Sequence, residues 1–346
     1  MNMRCGSLLS GLALLVFVSA PLFAQDEPEM SQMKYKSYPK WNIVLPKETF
    51  TPVAGKLPIA HSGGEGFEAV IDGTALSIDA NGDGKVGDVK AKGTGGLVTL
   101  KGETADGKKL YYTARLVNNG TWSFATSGAM VGKVAGTEVQ LIDQNNNGRY
   151  NDFGEDAMIV GNGDAASFLS KVISIKGELF EIDVNANGDE VTVRPFQGET
   201  GVLNLYSGFE SKGKLAAAVV VSVDGANSFE LAGDRKGLTV PVGQYRIASG
   251  LILKGKETVK VRAGKSRPVT VAANDESVVE WGGPLRAEFT YARQGDKVTF
   301  DPQNLWFYGK MEEEYYEWVP DGKPPKFVIA DKRTGREVAE AKFGGC

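Results

Sequence analysis

The chain has 346 residues, with 39 Lys and Arg against 43 Asp and Glu, and a formal charge of −4. No basic cluster interrupts this balance, which argues against nucleic acid as a partner. One histidine and two cysteines leave little material for disulfide or soft-metal chemistry, and 44 glycines without a period of three imply many tight turns rather than collagen.

Residues 1–24 read as a secretory signal: Arg4, an apolar run over residues 8–18, and Leu22-Phe23-Ala24 before Gln25. The run is too short for a spanning helix, and no later segment is apolar enough to be one. Cys5 precedes the run, so it does not sit as the acylated cysteine of a lipoprotein. The expectation is a mature chain of residues 25–346 that is exported (periplasmic, cell-surface or secreted), with no transmembrane segment; an uncleaved anchor is the alternative. Cys346 is then the sole cysteine, and no intramolecular disulfide is possible.

Residues 25–60 form a leader and a first strand. The polar stretch 25–40 is expected to be mobile, and a period of two begins at Trp41. Residues 61–200 read as a β domain. Strands are predicted over 75–78, 96–100, 110–116, 121–124 and 138–142, with Asn118-Asn119-Gly120 as a hairpin turn. Residues 164–172 are the best helix candidate, with Asp164 as N-cap but only two turns of length. Segments 178–183 and 190–194 flank Asn185-Ala186-Asn187-Gly188, a second hairpin. Over residues 201–280 the runs 216–222, 238–247, 258–262 and 268–272 alternate cleanly, with a turn every eight to twelve residues, as in a small antiparallel sandwich. The stretch Val240-Pro241-Val242-Gly243-Gln244-Tyr245-Arg246-Ile247 resembles strands of transthyretin-like or PEGA-type modules. Residues 281–346 form a C-terminal β module with strands near 287–291, 297–300, 305–308 and 326–330. The expected fold is therefore mostly β: a calcium-loop region, then one or two antiparallel sandwich modules, with few short helices.

Within the β domain one acidic loop occurs twice. The first copy places Asp79, Asn81, Asp83 and Asp88 at positions 1, 3, 5 and 10, and the second places Asp143, Asn145, Asn147 and Asp152 there. Gly84 and Gly148 stand at position 6, and Val86 and Tyr150 at position 8. Oxygen ligands on alternate residues, with a glycine to turn the chain, suit a hard cation such as Ca²⁺. The loops resemble those of EF-hand and dockerin proteins, which implies Lys85 and Arg149, at position 7, as further members of the two ligand sets. They depart from that pattern at position 12, where Lys90 and Gly154 replace a bidentate glutamate. Strands, not helices, enter both loops, so a β-framed variant is expected, with Val86 and Tyr150 pinning the exits onto the core. The alternative is that both are ordinary turns bonded to their own backbone. A third copy at Asp183 lacks the apolar position and the distal Asp, and reads as a hairpin turn.

No catalytic constellation stands out. His61, in His61-Ser62-Gly63-Gly64, reads as a loop residue, and no nucleophile elbow, zinc motif or phosphate loop is present. Trp306, Phe307, Tyr308, Tyr315, Tyr316 and Trp318 surround Glu312-Glu313-Glu314 and Glu317. This segment reads as a half-buried structural hairpin with its glutamates on the wet side; the alternative is a sugar platform, with Trp306, Tyr308, Tyr315 and Trp318 as candidate glycan-binding residues. The loop pair, with 151–156 and 195–201, is similar to stretches of uncharacterised exported bacterial proteins. The leading expectation is a non-enzymatic exported Ca²⁺-binding protein with structural or adhesive work at the envelope, its partner a cell-surface protein or polysaccharide. A carbohydrate-binding accessory protein and a hydrolase with a carboxylate site are the alternatives.

Overall fold

In the computed structural model, the described residues are 28–59, 66–103, 107, 109–321 and 326–342. The signal-like segment, His61 and Cys346 lie outside them. All regular elements among the described residues are strands, almost all paired antiparallel. None of these residues forms a helix long and apolar enough to cross a membrane.

Two small sheets share the first core. One runs Lys56–Leu57, Phe67–Asp72, Ala75–Ile78, Val89–Ala91; the other runs Thr51–Pro52, Trp122–Thr126, Lys109–Asn118, Gly95–Glu103. Leu57, Phe67, Leu76, Ile78, Leu100 and Phe124 are buried between them. A second core gathers Met33, Val139, Leu141, Tyr150, Ile173 and Val191, from the sheet containing Gly128–Val134, Thr137–Ile142 and Ala157–Val160 and the sheet containing Val172–Ile175, Glu178–Val184 and Glu190–Pro195.

The third core is a sandwich. A long sheet runs Ser228–Glu230, Lys214–Ser222, Gly243–Lys254, Glu257–Arg262, Glu314–Val319, Lys297–Tyr308, Arg286–Gln294. Leu203 and Val240, from the small sheet of Thr200–Asn204, Leu238–Pro241 and Glu276–Val278, pack with Val220, Ile247 and Val261 of the long one. The long sheet continues across Trp281, because Glu314–Val319 pairs with Glu257–Arg262.

Two local expectations are corrected. Glu29–Gln32 and Lys34–Ser37, placed in a mobile leader, are strands paired with Glu190–Pro195 and Gly128–Val134. Met33 is buried and Tyr35 half-buried while Lys34 and Lys36 face outward, a period-two pattern that the polar composition hides. Residues 164–172 form no helix. Ser167–Phe168 pairs with Ala157–Val160 in place of a helical turn. Ser170 Oγ donates to the Val172 carbonyl at 2.6 Å and accepts from Ser228 N at 3.0 Å, bonding that holds an extended chain.

Candidate metal centre

Each acidic loop joins two adjacent antiparallel strands. The first links Ala75–Ile78 to Val89–Ala91, and the second links Thr137–Ile142 to Ala157–Val160. Position 1 does the same work in both. Asp79 Oδ1 accepts from Gly82 N at 2.8 Å and Asp83 N at 3.2 Å, and its Oδ2 accepts from Gly84 N at 2.7 Å. Asp143 Oδ1 accepts from Asn147 N at 3.1 Å and its Oδ2 from Gly148 N at 2.8 Å. Gly84 and Gly148 have φ of +82° and +83°, the left-handed geometry that position 6 demands. Position 3 accepts from the position-5 amide in both loops: Asn81 Oδ1 from Asp83 N at 2.9 Å, Asn145 Oδ1 from Asn147 N at 3.1 Å. The Lys85 and Arg149 amides donate to the side chains of Asp83 and Asn147.

The loops differ in what fills their centres. In the first, carboxylate oxygens of Asp79, Asp83 and Asp88 lie within 4.8 Å of one another. Asp79 is buried, Asp83 and Asp88 are exposed, and no Lys or Arg pairs with any of them among the described residues. Asp88 Oδ2 also accepts from Ala80 N at 3.1 Å, which folds the distal end of the loop back over its start. In the second loop, the side-chain amides of Asn145 and Asn147 donate to Asp152 Oδ2 at 2.8 and 2.5 Å.

The second loop is also anchored through residues outside its alternate oxygen positions. Asn146, with φ of +61°, accepts from Thr126 N at 2.8 Å and donates to the Thr49 carbonyl at 3.0 Å. Gln144 accepts from Lys47 N at 3.1 Å and donates to the Glu155 carbonyl at 2.7 Å. The equivalent positions in the first loop are Ala80 and Gly82, which have no such side chains. Asp156 was not singled out from the sequence. Its Oδ2 accepts from Asp152 N at 3.0 Å, while its Oδ1 is buried without a partner. Burial, then the nearby Asp143 charge, pushes the Asp156 carboxyl up to about 8; burial above all pushes Asp143 up to about 7. Only the identity of positions 2 and 4, Gln144 and Asn146 against Ala80 and Gly82, signals this difference in the sequence.

At position 8 the two loops also part. Tyr150 is buried against Gly188 of the Asn185-Ala186-Asn187-Gly188 turn, and its backbone N donates to the Ala186 carbonyl at 3.0 Å. Val86 is 38 % exposed and pins nothing, which corrects the expectation for the first loop. The third copy is the hairpin turn expected of it, closed by Asn185 Nδ2 donating to Asp189 Oδ1 at 2.7 Å.

The four candidate glycan residues divide between two faces of the long sheet. Tyr315 lies opposite Val261 on the core side; Tyr308 lies opposite Glu314 on the other side, under Lys265, whose Nζ is 4.4 Å from the ring centroid. Trp306 is half-buried and shares the Tyr308 parity, while Trp318 is 43 % exposed. The glutamates divide: Glu317 is exposed and Glu312 partly so, as expected, but Glu313 and Glu314 are not on a wet side. Glu313 is fully buried and accepts from Gly282 N at 2.7 Å, Met311 N at 2.9 Å and Tyr315 Oη at 3.1 Å. Glu314 holds Arg262 through two bonds of 2.9 and 2.7 Å.

No protein-family model, curated protein or solved structure matches the chain. What can be said of the site therefore comes from its own donors and distances.

Proposed function

We propose that this is an exported, non-enzymatic β protein that binds Ca²⁺ at residues 79–88, with structural or adhesive work at the bacterial envelope and a cell-surface protein or polysaccharide as its partner. The observation that carries the reading is the approach of Asp79, Asp83 and Asp88 to within 4.8 Å, with no Lys or Arg paired to them among the described residues. Two exposed carboxylate charges, such as those of Asp83 and Asp88, repel by only about 1 kcal/mol at that distance in water. A divalent cation would turn the repulsion into attraction for all three carboxylates. The donors are all oxygen, as Ca²⁺ prefers, with Asn81 and the position-7 carbonyl of Lys85 available to raise the ligand number. The second loop keeps the same turn with its own amides opposite Asp152, and is read as the structural copy. Export rests on the signal-like N-terminus.

The test is thermal melting in Ca²⁺ and in chelator. At about a hundred times the dissociation constant the bound ion adds roughly 2.7 kcal/mol. Native protein is expected to melt higher in Ca²⁺, and Asp79→Ala with Asp83→Ala to melt alike in both. Identical melting of native protein in the two conditions rules the reading out.

A further inference from the structure

We infer that the C-terminal sandwich carries a sugar-binding cleft, walled by Trp318 and floored by Tyr315, that takes a single neutral pyranose ring. The argument begins with a fault in the strand Glu314–Val319. Its pairing with Glu257–Arg262 runs Glu314 to Arg262, Tyr315 to Val261 and Tyr316 to Lys260, then jumps to Val319 opposite Thr258. Three steps on one strand against two on the other make a β-bulge. Glu317, inside it, has φ of +46°, a left-handed conformation unfavourable for a glutamate.

The bulge reverses the alternation. Val259 and Val261 face the core, so Tyr315, opposite Val261, faces it too. In a regular strand Glu317 would follow on that side and Trp318 would point away. With the extra residue, Val319 falls opposite the outward Thr258, and Trp318 joins Tyr315 on the core side beside Val259. Bulges that re-aim a side chain are frequent next to functional sites. Glu317 itself turns outward to pair with Lys260 at 2.5 Å.

Trp318 does not bury itself after this turn. It remains 43 % exposed, on the wall of a cleft of about 220 Å³ floored by Ile252, Val259, Leu285 and Tyr315. Two contacts fix the ring: its Nε1 donates to Glu257 Oε1 at 2.7 Å, and Phe307 packs edge-on with centroids 5.9 Å apart. An indole held by backbone distortion, a hydrogen bond and an aromatic neighbour, yet left with open surface, is a prepared stacking platform.

The rim decides the ligand. Glu210, Glu257, Lys212 and Lys254 line it, with Lys254 3.9 Å from Glu257 and Lys310 bonded to Glu210 at 3.0 Å, so acceptors and donors are both present and the four lining charges cancel. Such a rim suits a neutral molecule with many hydroxyls and one apolar face, which describes a pyranose. The volume lies below the ~300–1,000 Å³ usual for drug-sized ligands, so one ring fits and neighbouring sugars would run out over the rim. The cleft uses only Tyr315 and Trp318 of the aromatic cluster, and it does not depend on the calcium loop.

The test labels the protein with 5-fluorotryptophan and assigns the Trp318 resonance by Trp318→Phe. Glucose, galactose, mannose and N-acetylglucosamine are then titrated singly, with a proline-rich peptide as the competing probe. At least one sugar is expected to shift the Trp318 signal saturably and leave that of Trp306 in place. Loss of the ring in Trp318→Ala should weaken that sugar roughly tenfold, the scale of one aromatic contact. Its melting should stay near native, because the side chain is partly exposed. A Trp318 resonance unmoved by all four sugars, or moved by the peptide alone, overturns the proposal.

Discussion

At the scale of single residues, the outcome turns on what lies beside each carboxylate. Asp79 and Asp143 accept the same kind of backbone bonds, yet one centre gathers carboxylates and the other gathers amides. Asn146 shows how the second loop is anchored. Asn146→Ala would leave the buried Thr126 N without its acceptor and force alanine to φ of +61°, so a loss of about 2–3 kcal/mol is expected in urea unfolding. The loss should be the same with and without Ca²⁺. Glu313 gives a pH signature. Burial raises its carboxyl above the ordinary value of 4.5, so the folded state binds its proton more tightly than the unfolded state does. The stability linked to that proton is full below 4.5 and drains away as pH rises towards the folded value. Native protein should therefore lose stability relative to Glu313→Gln as pH rises above 4.5, read as the difference of their melting curves. A constant difference over that range would contradict the account of Glu313.

At the scale of elements, the alternating runs were legible because period two is written directly in side chains: segments 75–78, 138–142 and 258–262 form strands at those places. The hairpin at Asn118-Asn119-Gly120 was legible from turn chemistry, with Gly120 N donating to Asn118 Oδ1 at 3.1 Å. Three things were not legible. The strands Glu29–Gln32 and Lys34–Ser37 depend on partners roughly a hundred residues or more away. The short run at residues 164–172 carried a helix-like cap, but tertiary bonds to Val44 and Ser228 decided it. The bulge at Glu317 leaves no mark in composition, so the re-aiming of Trp318 could not be read in advance. Packing between elements yields a further expectation. A Cβ on Gly188 would stand 2.7 Å from Tyr150 Cβ, at φ of +69°. Gly188→Ala should cost more than about 1 kcal/mol, seen as a lower melting temperature, by pushing the turn away from the second loop.

At the scale of the whole molecule, separate cores are strung along the described residues, and the two acidic loops sit on different ones: Ile78 and Ala80 belong to the first, Tyr150 to the second. The C-terminal sandwich is closed by a strand from beyond Trp281, since Tyr315 completes the core around Val261 and Trp281. A fragment ending at residue 281 would leave Glu257–Arg262 as an open edge and the core short of a tyrosine. It should be less soluble and melt lower than a fragment ending at residue 321. The fold class followed from composition and periodicity, because glycine-rich turns between alternating runs allow little else. The candidate site was half legible: spacing located both loops and Asp83 against Asn147 marked their different centres, but the anchors of the second loop at Gln144, Asn146 and Asp156 lie outside the alternate oxygen positions. The most direct test is a calorimetric Ca²⁺ titration of the native chain, of Asp79→Asn with Asp83→Asn, and of Asp152→Asn. The account predicts one ion per chain, lost in the first-loop variant and kept in Asp152→Asn. Absence of binding to the native chain, or binding abolished only by Asp152→Asn, would contradict it.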